Sequence, residues 1–250
     1  MRVTVIGCGD AFGSGGRFQS ATMIESNGQN CLVDCGATTQ TALNRAGIDP
    51  NTIGTIFLTH LHGDHFGGVP FFLLEAQWSR HRTRPLVIAG PPGTRQRLIQ
   101  AVDIFYPGSI ARTPWSFDWQ IIEIEPDTGK IVRFGTFEVT TATVIHASGA
   151  PSTAVRVVTG GHVFAHSGDT QWTDTLYRVF DGADIAFVEC HSYDMPTPMH
   201  IDYATLVEKR SAITARRLVL THLGPAMLEH ENDVDRMLFD VAADGQVFTV

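Results

Sequence analysis

The chain has 250 residues, 43% of them hydrophobic and 18% charged, with a formal net charge of -8. That length supports one sizeable domain with its own buried core, and the acidic balance argues against a broad electropositive surface for nucleic acid. No apolar run approaches the roughly 20 residues of a membrane-spanning helix, and Met1-Arg2-Val3-Thr4-Val5-Ile6 runs into glycine without the long apolar core of a signal peptide, so a cytoplasmic protein is expected.

Short β-branched runs bounded by glycine and polar turns dominate the first third. Met1–Ile6, Thr22–Ser26, Asn30–Val33 and Thr55–Leu58 are expected strands. A helix over Thr39–Ala46 ends at Gly47, and another spans Gly68 to about Arg80. Leu86–Ala89 reads as a strand, Thr94–Phe105 as a helix and Ile121–Glu125 as a strand. Lys130–Phe134, Thr136–Val144, Ala154–Thr159 and His162–Ala165 form an expected antiparallel meander, with Gly160-Gly161 as a two-residue hairpin turn. Beyond it, helices and strands alternate: Asp174–Phe180, Ile185–Glu189, Asp202–Ala212, Arg217–Leu220, Asn232–Asp240 and Gln246–Thr249. Both halves mix strands with helices, without a linker or a repeat of fixed period. A single domain over residues 1–250 is expected, an α/β fold arranged as an αββα sandwich with helices outside two packed sheets. Cys8, Cys31, Cys35 and Cys190 show no paired zinc spacing and are expected reduced and mostly buried.

The sharpest chemical signal is Thr59-His60-Leu61-His62-Gly63-Asp64-His65, directly after the apolar run Ile56-Phe57-Leu58. In an extended segment His60 and His62 point to one side, because side chains alternate with period two. Gly63 then lets the chain turn, so that Asp64 and His65 face a second position nearby. Imidazole nitrogen with carboxylate oxygen suits zinc, with manganese or iron as other occupants.

The chain resembles the metallo-β-lactamase superfamily, whose signature is this motif followed by separated downstream ligands, and the resemblance covers almost the whole length. It implies the four-layer αββα sandwich of that fold and two divalent metal ions, zinc foremost. The ligands it assigns are His60, His62, Asp64, His65, His146 in Val144-Ile145-His146, the bridging Asp169 in Ser167-Gly168-Asp169-Thr170, and His222 in Leu220-Thr221-His222. Each downstream ligand follows an apolar strand, so the set is expected at one edge of the sandwich. Asp34, in Leu32-Val33-Asp34-Cys35-Gly36, resembles the aspartate that precedes the metal loop in many members; orienting a ligand histidine and capping a turn both stay open.

Fold alone does not choose among the hydrolases of this superfamily. The stretch His146-Ala147-Ser148-Gly149-Ala150-Pro151-Ser152 is similar to the ribonuclease Z and phosphonate-phosphodiesterase group, where a Pro-Ser pair and a strand follow the third histidine. In ribonuclease Z a His-Ser-Thr histidine touches the scissile phosphate and pairs with the glutamate of Glu-Ala-Thr. The counterparts here are His200 and Glu189, with Ile201-Asp202 in place of Ser-Thr and Cys190-His191 in place of Ala-Thr. For either residue alone, a surface histidine before a helix or a satisfied strand-end carboxylate stays open.

The resemblance implies a phosphodiesterase using a hydroxide bridging two divalent metals, with Asp64, His200 and Glu189 in the catalytic machinery. A lactonase or other carboxyl-ester hydrolase would use the same metals, and a non-catalytic member would bind metal or a small anion. Ribonuclease Z enzymes that process precursor transfer RNA carry a basic, glycine-rich arm, in many members between the third histidine and the bridging aspartate. Here the interval His146 to Asp169 contains one hairpin and only Arg156 as a basic residue; Arg80–Arg84 with Arg95 and Arg97 read as a solvated face. The expected partner is therefore a small anionic phosphodiester and neither long RNA nor a membrane; a homodimer stays open.

Overall fold

The structure is a computed structural model describing residues 1–250. In chain order its elements are β1 (Arg2–Gly7), β2 (Ala21–Ser26), β3 (Gln29–Val33), α1 (Thr39–Arg45), β4 (Ile53–Phe57), α2 (Gly63–Phe66), α3 (Val69–Trp78), β5 (Leu86–Gly90), α4 (Thr94–Phe105), α5 (Ser109–Arg112) and β6 (Trp119–Glu123). The second half contains β7 (Val132–Phe134), β8 (Phe137–Thr143), β9 (Thr153–Thr159), β10 (His162–His166), α6 (Thr175–Phe180), β11 (Ile185–Glu189), α7 (Tyr203–Lys209), β12 (Leu218–Thr221), α8 (Pro225–Glu229), β13 (Asp240–Val241) and β14 (Val247–Thr249).

The strands make two seven-stranded sheets, ordered β14-β1-β2-β3-β4-β5-β6 and β13-β12-β11-β10-β9-β8-β7. Each sheet begins as an antiparallel meander and continues as parallel strands with helical crossovers, so the halves share a topology that no sequence period announces. The last strand, β14, crosses back to pair with β1.

Alternation along the strands divides the apolar residues between three cores. Val3, Val5, Val33, Phe57, Val139, Val157, Phe164 and Phe187 fill the space between the sheets. Ile6, Leu32, Ile56, Ile88 and Ile121 face outward under α1, α3 and α4, while Ala165, Ala186, Val188 and Leu220 do the same under α6, α7 and α8. Full burial of each larger side chain contributes about 1.5–3 kcal/mol, and sheets that are apolar on both faces require helices on both sides. The four-layer sandwich follows. No helix is long and apolar enough to cross a membrane.

Local signals act as expected at several ends. Gly160 and Gly161 both have positive φ, as a primed two-residue turn between β9 and β10 requires. Asp202 caps α7 by accepting the Thr205 N–H at 2.8 Å. All four cysteines are buried and free.

Two expectations need correction. Asn232–Asp240 is not a helix: a 3-10 turn at Glu231–Asp233 gives way to an irregular stretch and then β13. Buried Val234 and Phe239 anchor this stretch against the second sheet, and the Asp235 N–H donates to the Tyr203 hydroxyl, so tertiary contacts override the helical pattern. Nor is Arg80–Arg84 a uniformly solvated face. Arg82 is buried, and its guanidinium donates to the carbonyls of Arg84, Pro50, Ile53 and Pro85.

Candidate metal centre

Strand ends deliver the predicted ligands to one edge of the sandwich. Beyond β4 an irregular segment carries His60 and His62, the latter with extended φ/ψ, and turns into the one-turn helix α2 carrying Asp64 and His65. His146 follows β8, Asp169 follows β10 and His222 follows β12. The metal loop packs closely on the β3–α1 connection: Cys35 N–H donates to the His65 carbonyl at 2.7 Å, and a Cβ at Gly36 would stand 2.2 Å from the Asp64 carbonyl oxygen. Only glycine permits that approach.

All seven predicted ligands are brought together. His60, His62 and His146 form one group of converging donor atoms; Asp64, His65, Asp169 and His222 form a second, entirely buried group. Asp169 stands between them, with Oδ1 3.1 Å from His65 Nε2 and Oδ2 at 3.4 Å from His222 Nε2, 3.8 Å from His60 Nε2 and 3.9 Å from His146 Nε2. Asp169 is thus the carboxylate that lies within 4 Å of histidines from both groups.

Electrostatics favours the protonation states that metal ligands need at His60, His222 and Asp169. At His65, by contrast, burial opposes a charge but the Asp169, Asp34 and Asp64 carboxylates outweigh it and raise the imidazole well above the ordinary histidine range. Burial, followed by the nearby His65, pushes His60 well below the ordinary histidine range, and burial brings His222 down to about 4. Burial opposes a charge on Asp169, yet the surrounding imidazoles of His222, His65 and His60 hold its carboxyl well below the usual carboxylate range. His60 Nε2, Asp64 Oδ2, His65 Nε2 and Asp169 Oδ1 are buried without a hydrogen-bond partner. Each such atom costs about 1–3 kcal/mol unless satisfied, and two cations between these converging N and O donors would satisfy them. The residues present therefore fit a pair of divalent metals, and the donor set suits zinc.

Asp34 lies outside both groups and contacts them from behind: it is fully buried at the end of β3, with Oδ2 2.7 Å from His65 Nδ1. Of the two roles open for it, the structure shows the one that orients a histidine. His146 Nδ1 lies 3.0 Å from the Met199 carbonyl oxygen, which turns Nε2 toward the cluster.

His200 and Glu189 also meet here. His200 Nδ1 is 2.9 Å from Oε2 of the fully buried Glu189, whose other oxygen accepts the Thr170 N–H. Burial, then the charge of Asp169, raises Glu189 well above the usual carboxylate range, and burial lowers His200. His200 donor atoms also converge with those of His146 and Asp169.

Part of this cluster lines a cavity of about 230 Å³, bounded by Asp10, Ala11, Phe12, His62, Asp64, His146, Asp169, His191, His200 and His222, with His60, His65, Asp34 and Glu189 buried behind it. A larger cavity, about 490 Å³, lies between β1, β14 and α1 and holds no metal-ligating cluster. Sequence reasoning did not single out Asp10, Phe12 or His191. Phe12 is 94% exposed on a loop pinned by Asp10, whose carboxylate accepts from Phe12 N–H, Ser14 N–H and the Ser14 hydroxyl. Asp10 has a faint signal, a carboxylate before a glycine-rich turn, and His191 a clearer one, two residues after Glu189.

Comparison with known proteins agrees with this geometry. A ribonuclease Z from Methanothermobacter thermautotrophicus is 33% identical over 147 residues, which is 59% of this chain and 45% of that protein. The chain thus matches less than half the length of that curated relative. The crystal structure of human tRNase Z, short form, superposes with a TM-score of 0.79 at 26% identity, over 100% of this chain and 99% of that one. A diphosphatase from the PhnP family superposes with a TM-score of 0.77 at 18% identity, over 100% and 97% of the two chains, a likeness of fold. These relatives place the chain in the ribonuclease Z and phosphodiesterase-like branch of the metallo-β-lactamase superfamily. Within it, the model of one family, described as anti-Pycsar protein Apyc1, matches residues 1–248, and the chain belongs to that family.

Proposed function

We propose that this protein is a metal-dependent phosphodiesterase acting on small anionic diesters, cyclic or alkyl. The observation that carries the reading is the His200–Glu189 pair, held 2.9 Å apart beside the converged ligand groups, with His200 on the wall of the small cavity and Glu189 buried behind it. His60, His62, Asp64, His65, His146, Asp169 and His222 would hold two divalent cations, which would supply Lewis-acid charge neutralisation and an activated water near neutral pH.

The chain's own residues do the rest. His146, turned by the Met199 carbonyl, and Asp169, central to both groups, set the frame in which a phosphoryl group sits. Glu189 fixes the ring of His200 through Nδ1 and leaves Nε2 as the group that donates to a phosphoryl oxygen or protonates the departing alkoxide. Glu189 is shielded from solvent, so its hold on His200 does not depend on a mobile surface contact.

A cavity of about 230 Å³ favours a small substrate, and none of its lining residues is lysine or arginine. Between His146 and Asp169 the chain forms the β9–β10 hairpin, with its turn at Gly160-Gly161. Grip on a long polyanion scales with the number of phosphates neutralised, so weak, salt-sensitive binding of RNA is expected. The test is a substrate panel on metal-replete protein: cyclic and alkyl phosphodiesters, lactones, and a precursor transfer RNA at near-physiological salt. Turnover of a small diester above all others supports the proposal. Faster cleavage of the precursor at its 3′ end, or turnover of lactones alone, overturns it.

A further inference from the structure

Five histidines line the metal cavity, and three of them, His62, His146 and His222, belong to the converged ligand groups. The remaining two, His191 and His200, lie side by side: their rings are nearly parallel, 26° apart, with centroids separated by 4.7 Å. His200 is anchored through Nδ1 by Glu189. His191 has no comparable anchor, for its Nδ1 is buried without any hydrogen-bond partner.

That arrangement is costly to maintain. An unpartnered buried nitrogen is unfavourable, and the neighbouring backbone makes room for this ring. A Cβ at position 224 would stand 2.8 Å from both Cε1 and Nε2 of His191, and 2.7 Å from its carbonyl oxygen, so Gly224 is there for space. The backbone holds the residue in place: His191 N–H donates to the Ile201 carbonyl and its own carbonyl accepts the Gly224 N–H. With Asp10 as the nearest non-ligand charge on the cavity wall, the imidazoles are the only cationic or donor side chains available there to an anion.

We infer that His191 is a second substrate-contacting imidazole, binding a phosphoryl oxygen beside the one that His200 meets. The inference rests on the phosphodiesterase reading for its substrate, but its anion contact is testable without turnover. His191 replaces the threonine of the Glu-Ala-Thr pattern, so an imidazole stands where that pattern has a hydroxyl.

The experiment titrates inorganic phosphate into metal-loaded protein by calorimetry, for the wild type, His191→Ala, His191→Gln, His200→Ala and the double variant His191→Ala/His200→Ala. Loss of a hydrogen bond to a charged group predicts phosphate binding weaker by about 10-fold or more in His191→Ala. His191→Gln, which retains a donor, should restore much of it, and elemental analysis should find the same metal content throughout. In the double variant the His191 substitution should still weaken phosphate binding below that of His200→Ala, by an amount that differs from its effect alone because the two rings touch. KM for a chromogenic diester should rise with the loss of phosphate affinity, whereas His200→Ala should act chiefly on kcat. Unchanged phosphate affinity in His191→Ala overturns the inference, as does the absence of a further effect in the double variant, which would reduce His191 to packing against His200. Metal loss would place it among the ligands instead. Were the wild type to hydrolyse no diester while phosphate binding still fell with His191→Ala, the phosphodiesterase reading would fail and the anion contact would stand.

Discussion

His65 and Asp34 meet across 2.7 Å, Nδ1 to Oδ2, with both side chains buried behind the ligand cluster. The same carboxylate accepts the Thr59 hydroxyl at 2.9 Å, and that hydroxyl lies 3.1 Å from Nδ1 of His60. A carboxylate can only accept, so the chain of donors runs from His65 Nδ1–H directly and from His60 Nδ1–H through Thr59. Both histidines are left with Nε2 free to face the cluster, one in each ligand group. Asp34→Asn retains a side chain tolerant of the φ of 64° found there but places an amide against His65 and the Thr59 hydroxyl. Metal retention in a chelator competition should weaken by about 10–100-fold; retention equal to wild type would separate Asp34 from ligand orientation.

Metal stoichiometry tests the site itself. Elemental analysis of reconstituted protein should find close to two divalent ions per chain, since the two converged groups offer seven ligands. His62→Ala should impair one site, and Asp169→Ala, which removes the carboxylate between the groups, should impair both. Two tightly held metals in both variants would sink the assignment.

For His200 the expected result is a loss of turnover at constant metal. His200→Ala should lower kcat about 100-fold or more without changing metal content, and Glu189→Ala should follow it in the same direction by releasing Nδ1. A fall in metal content in His200→Ala would instead make it a ligand, as its convergence with His146 and Asp169 would then require.

Arg82 tests the fold independently of the site. Its guanidinium satisfies four backbone carbonyls around Pro50, Ile53 and Pro85, and its removal strands them in the interior. Arg82→Ala should destabilise by about 3 kcal/mol or more in denaturant unfolding, with metal stoichiometry intact in the folded fraction. A change below about 0.5 kcal/mol, the scale of an ordinary surface substitution, would contradict this reading.

Asp184 gives a pH signature. The Val163 N–H lowers its pKa against the opposing effect of burial, with smaller lowering contributions from the Arg216 and His162 charges. A depressed folded pKa means that the contribution is present above the unfolded value and fades as pH falls through the folded one. The melting temperature of the wild type should therefore exceed that of Asp184→Asn at pH values above the unfolded carboxylate pKa of about 3.9, and the two should converge as pH falls through the lowered folded value. A gap that persists at the acid end would point to packing in place of charge.

The sequence by itself determined the converging donor set and most of the local structure. His60, His62, Asp64 and His65 lie within six residues, where a strand end and one glycine suffice to place them, and paired glycines at 160 and 161 specify their hairpin through backbone sterics alone. Period-two alternation along β8 and β9 announces strands because each face meets a different environment. What it left undecided depends on residues distant in the chain. Which role Asp34 plays is settled by the register of β3 against β4, which carries its carboxylate to Thr59 and His65. Arg82 lies on a polar stretch whose guanidinium finds its carbonyl partners only when the segments around Pro50 and Pro85 fold together. The irregular path of 232–240 is likewise imposed by Tyr203 and the second sheet, against a local pattern that reads as helix. His191 becomes visible as a pocket residue only once β11 and β12 lie side by side and Gly224 opens the space for its ring. Periodicity and short motifs encode contacts between near neighbours; partners separated by many residues are chosen by packing, and only the tertiary structure displays that choice.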